Sequence, residues 1–164
     1  MTKTLFAGAL LALALPVQAQ IGIATPATVY GQTFDTLLST GLTNAWVNDS
    51  TLPGWSLFTG AGAPIATYAA GTGSSATGAF YSFGTTAGDR AFGGVGSNNA
   101  YFGNPAVGAA AGYIAAAFSN NTSLVLDSFT LRFDGEQWRN GGNTTAQTMV
   151  LEYGFGASFG TVAG

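Results

Sequence analysis

The chain has no cysteine and no histidine among its 164 residues, and only 7% of them are charged. Each absence closes off a class of protein. Without cysteine no disulfide can staple the fold, which must hold by packing alone. Without histidine, Ser-His-Asp hydrolysis, histidine-assisted nuclease chemistry and every zinc site built on imidazole are excluded. Positive charge is scarcest of all: Lys3, Arg90, Arg132 and Arg139 are the only basic residues. Nucleic-acid binding is therefore not expected, because phosphate neutralisation needs several clustered Lys or Arg side chains and the chain carries a net charge of -3.

What is present begins with an export signal. Lys3 gives a positive end, Leu5 to Leu15 an apolar core, and Val17-Gln18-Ala19 a small-residue cleavage site before Gln20. Residues 1–19 thus read as a secretory signal peptide, with a core too short for a bilayer, which takes about 20 residues. The expectation is a secreted or cell-surface protein with no membrane span in the mature chain. Residues 20–164 are long enough for one domain with a real core. Twenty-five glycines and an aromatic content of 13% suit an exported β-protein.

Short strands separated by turn chemistry fill the mature chain. Candidates are Val29 to Phe34, Trp55 to Phe58, Thr67 to Ala69, Ala79 to Phe83, Arg90 to Phe92 and Tyr113 to Phe118. Tyr81 and Phe83 fall on one face by alternation. Asp49 to Gly54 contains Pro53-Gly54, a strong reversal signal. The alanines of Ala106 to Phe118 suggest a helix, but Gly108 and Gly112 would each cost about 1 kcal/mol inside one. The pattern predicts an all-β fold, a jelly-roll-like antiparallel β-sandwich.

The longest regular pattern runs from Leu124 to Phe155 and reads as a β-hairpin turning at Asn140-Gly141-Gly142-Asn143. A three-residue loop sets Phe133 against Leu151, Leu131 against Tyr153 and Arg132 against Glu152, and keeps like faces together. The Arg132–Glu152 pair would mark register while contributing only roughly 0.2–1 kcal/mol.

Three stretches invite a functional reading. If alternation continues past Phe133, then Arg132, Asp134, Glu136 and Trp138 share the face opposite the core, as a sugar-binding surface would have them, with the indole stacking on a pyranose. A bulge at Gly135 would instead turn Trp138 into the core and leave Glu136 and Arg139 as local partners. Asp134 or Glu136 with Glu152 could form a glycosidase pair only if held about 5–5.5 Å apart in a cleft. That register keeps Glu136 and Glu152 well apart, so no enzyme is expected. Gly71 to Gly78 looks like a phosphate loop but lacks the Gly-Lys-Ser/Thr ending and a following helix. No cofactor is implied. Calcium held by loop carboxylates such as Asp35, Asp49 or Asp89 has no motif behind it.

Several strings carry a resemblance. Tyr30-Gly31-Gln32-Thr33-Phe34-Asp35-Thr36-Leu37, Leu52-Pro53-Gly54-Trp55, Ala70-Gly71-Thr72-Gly73-Ser74-Ser75, Tyr81-Ser82-Phe83-Gly84, Asp89-Arg90-Ala91-Phe92-Gly93 and Gly135-Glu136-Gln137-Trp138-Arg139 span most of the mature chain. Together they resemble a β-sandwich domain of uncharacterised bacterial exported proteins, often with PEP-CTERM sorting tails. The resemblance implies an exported sandwich and carries over no activity. Similar domains continue for several strands after the hairpin, so it also implies a sandwich incomplete at the C-terminus. No Val-Pro-Glu-Pro box stands in the sequence to support sorting-tail anchoring.

The reading is an exported non-catalytic β-sandwich of the cell envelope or extracellular matrix, binding or structural, with an extracellular polysaccharide as its most concrete partner. The rival is an accessory domain of a secreted hydrolase or nuclease whose catalytic module lies elsewhere.

Overall fold

A computed structural model describes residues 20–97, 99–142, 144 and 148–162. The signal peptide expected at residues 1–19 and the start of the second hairpin arm at 145–147 lie outside them. Among the described residues eight strands run in the order β1 (Ile21–Ile23), β2 (Asn44–Ala45), β3 (Trp55–Thr59), β4 (Thr67–Gly71), β5 (Ala79–Thr86), β6 (Asp89–Val95), β7 (Gly112–Ala116) and β8 (Phe118–Asn120). The only helices among the described residues are two 3₁₀ turns, Ala100–Phe102 and Phe159–Thr161. The all-β class is as expected. The strands form three separate sheets that do not close: β2-β4-β5-β6, β3-β7 and β1-β8.

The four-stranded sheet is mixed. β5 pairs antiparallel with β6 through a tight turn and parallel with β4, so the Thr72 to Gly78 loop must carry the chain across. The main core draws on the four-stranded sheet, on the β3-β7 sheet and on the segments that join them. It contains Leu37, Trp46, Leu52, Leu57, Ile65, Tyr68, Phe80 and Phe102, with Ile114 and Phe92 packed against it. Leu57 on β3 and Phe80 on β5 therefore belong to one cluster that draws on two sheets. Phe92 is the aromatic hub, stacked on Trp46 at 5.3 Å and edge-on to Tyr68 at 6.1 Å.

Arg90 is 5% exposed, yet its guanidinium makes its hydrogen bonds to neutral oxygens. Nε donates to Ser82 Oγ at 2.9 Å, Nη1 to the Thr86 carbonyl at 3.0 Å and Nη2 to the Ser82 carbonyl. Its backbone N–H donates to Asp35 Oδ1 at 2.8 Å. A buried cation satisfied this way fixes the β5-β6 turn and ties it to the segment before β2.

The strand expected at Val29 to Phe34 is absent. Phe34 takes a φ of +63°, which breaks an extended run, and the segment becomes a strap held by side chains. Trp55 Nε1 donates to the Tyr30 hydroxyl at 2.7 Å, and Phe34 N–H donates to Gln32 Oε1 at 2.8 Å. The first strand lies earlier, at Ile21–Ile23, paired in parallel with Phe118–Asn120.

The long hairpin is the larger correction. Residues 124–142 and 148–154 contain no strand, and no ladder in the Phe133–Leu151 register forms between them. The arms do approach: the Phe129 and Tyr153 rings lie 5.9 Å apart, edge to face. The end of the first arm and the segment that follows the second are instead anchored to other parts of the molecule. Arg139 and Trp138 are drawn onto the four-stranded sheet, while Phe159 stacks on Phe58 at 4.1 Å and leans on Tyr113 at 5.4 Å. An isolated two-stranded ribbon is marginal in water, so these distant anchors prevail.

Candidate functional site

The four-stranded sheet has two dissimilar faces. One supplies Tyr68, Phe80 and Phe92 to the main core. On the other, Ala69, Ala79, Tyr81 and Phe83 form a second cluster, with Ala91, Val95, Tyr101 and Trp138 packed against it. The register explains its shape. Tyr81 lies between Ala69 and Gly93, and Phe83 between Gly71 and Ala91. Only small residues flank the two rings. A Cβ at Gly71 would touch the Tyr81 ring at 3.6 Å, and one at Gly93 the Phe83 ring at 3.4 Å.

Onto this floor the Gly135 to Arg139 string docks. Phe83 stacks on Tyr81 at 5.1 Å and 16°, and Trp138 stacks on Phe83 at 6.0 Å and 6°. Glu136 Oε2 accepts from Trp138 Nε1 at 2.7 Å, which sets the rotation of the indole. Arg139 Nη1 donates to the Ser74 carbonyl at 2.9 Å and the Gly73 carbonyl at 3.3 Å. Arg139 is therefore a clamp on the glycine-rich loop and not the local partner of Glu136. Gly73 has a φ of +83°, and the Trp138 carbonyl occupies the space a Cβ would need. The loop has no phosphate-binding geometry, since strand β5 follows it where a helix would be required.

Of the residues singled out by sequence, Glu136 and Trp138 are brought together. Trp138 is half-buried with one face on Phe83, and Arg132, Asp134 and Glu136 are exposed, with only Glu136 in contact with the indole. Glu152 is exposed as well. Among the described residues no group of three or more His, Cys, Asp or Glu side chains could hold a metal ion, and Asp35 and Asp49 are engaged by Arg90 N–H and Ser56 Oγ. No helix among them is long and apolar enough to cross a membrane.

A groove of about 380 Å³ on the same face was not anticipated. Its floor is Ala69, Ala79 and Tyr81, and its walls include Thr43, Thr77 and Tyr101. The Tyr81 hydroxyl donates to the Thr77 carbonyl at 2.9 Å and lies 3.1 Å from Ser75 Oγ. Tyr101 donates to the Thr67 carbonyl at 2.6 Å, and burial pushes its phenol up to about 12. The signal for this face is in the sequence: Ala69-x-Gly71, Tyr81-x-Phe83 and Ala91-x-Gly93 are small and aromatic pairs at strand spacing.

Comparison with known proteins finds no matching family model, no matching curated protein and no matching solved structure.

Proposed function

We propose that the chain is an exported, non-catalytic β-sandwich protein of the cell envelope or extracellular matrix, jelly-roll-like in architecture, that binds an extracellular polysaccharide through Trp138. The observation that carries the reading is the parallel stack of Trp138 on Phe83, 6° from coplanar, with the indole half-exposed. An indole packed on one face and fixed in rotation by Glu136 is preorganised to offer its other face to the apolar side of a sugar ring. Exposed Glu136, bound to the indole N–H, supplies acceptors for the hydroxyls around it, and Arg132 and Asp134 are exposed in the same stretch of chain.

Glycan-array binding tests this directly. Trp138→Ala should weaken binding at least about tenfold, close to 1.4 kcal/mol, and Trp138→Phe should weaken it less. Undiminished binding by a folded Trp138→Ala variant would move the site elsewhere. If that variant unfolds while Trp138→Phe folds and binds nothing, Trp138 is a core residue.

A further inference from the structure

We infer that the site takes a chain of neutral sugars rather than a single ring, with the groove beside Tyr81 as a second binding position. This rests on the carbohydrate reading of Trp138 and deepens it. The two places are joined by one line of side chains. Trp138 stacks on Phe83 at 6.0 Å, Phe83 on Tyr81 at 5.1 Å, and Tyr81 forms part of the floor of the groove. They also share a border, because Arg139 grips the Ser74 carbonyl while neighbouring Ser75 lines the groove.

The lining selects the ligand class. It contains no Asp, Glu, Lys or Arg side chain, so nothing there would pair with a uronate, sulfate or amino sugar. Thr43, Thr67 and Thr77 line it with hydroxyl groups that have no protein partner among the described residues, beside the rings of Tyr81 and Tyr101. Hydroxyls next to apolar ring surface match an uncharged pyranose, which is amphipathic in the same way.

Titration with neutral cello-, malto- and manno-oligosaccharides, each as disaccharide and hexasaccharide, tests the inference. In at least one series the hexasaccharide should bind roughly tenfold more tightly than the disaccharide. Thr77→Trp, an exposed rim position, should fill the groove and remove that gain. Thr43→Trp, at another exposed lining position, should do the same if Thr77→Trp does not fold. No gain with length, or a gain that survives both substitutions, overturns the inference and leaves the Trp138 site standing. Binding of neither length in any series overturns the carbohydrate reading itself.

Discussion

At the residue scale, Gly73 decides whether the Gly135 to Arg139 string can sit on the sheet. Its φ of +83° disfavours any side chain, and the Trp138 carbonyl fills the Cβ position. Gly73→Ala should therefore release Trp138 from Phe83 with little effect on the main core, seen as red-shifted tryptophan emission with an almost unchanged melting temperature. Unchanged emission would mean that the string docks without this close approach. Tyr101 gives a pH-dependent handle. Burial raises its pKa from 10.0 to about 12, so between those values the folded chain keeps a proton that the unfolded chain has lost. Its contribution is full below pH 10 and is lost as pH rises towards 12. Denaturant midpoints across that window should fall more steeply for the wild type than for Tyr101→Phe; equal slopes would show that Tyr101 is not the group responsible.

At the element scale, the strands that were legible are those whose partners are near in sequence or whose pattern is strong. Trp55 to Phe58, Thr67 to Ala69, Ala79 to Phe83, Arg90 to Phe92 and most of Tyr113 to Phe118 form strands, each within a residue or a few of the expected bounds. Tyr81 and Phe83 share a face as alternation requires. Two patterns misled. Val29 to Phe34 has strand composition, but its side chains act as pins and Phe34 leaves the extended region. Leu124 to Phe155 has hairpin alternation, but alternation says nothing of competing anchors far away in sequence. Trp138 on Phe83 is such an anchor, and Arg139 on Ser74 spans 65 positions. The two marker strings Ala70 to Ser75 and Gly135 to Arg139 were visible separately. That they bind each other follows only from the parallel β4-β5 crossover, which places the loop over the second face of the sheet.

At the scale of the whole molecule, the anchored arms leave apolar surface uncovered. Phe129 is 71% exposed, Phe133 63%, Met149 78% and Phe155 81%. Exposed apolar surface recruits other chains, and only sparse charge opposes it here. Sedimentation velocity over a concentration series should show self-association, reduced by Phe129→Lys with Leu151→Lys. A concentration-independent monomer would show that the arms are covered within one chain. The second sheet face is the part of the molecule on which the functional proposal stands. The three tryptophans of the chain can be told apart, because Trp46 Nε1 donates to Asn48, Trp55 Nε1 to Tyr30 and Trp138 Nε1 to Glu136. The most direct test follows their indole N–H resonances by nuclear magnetic resonance during titration with a neutral hexasaccharide that the chain binds. The expected result is a saturable shift of the Trp138 resonance with Trp46 and Trp55 unmoved; a saturating ligand that leaves Trp138 unshifted would contradict the account.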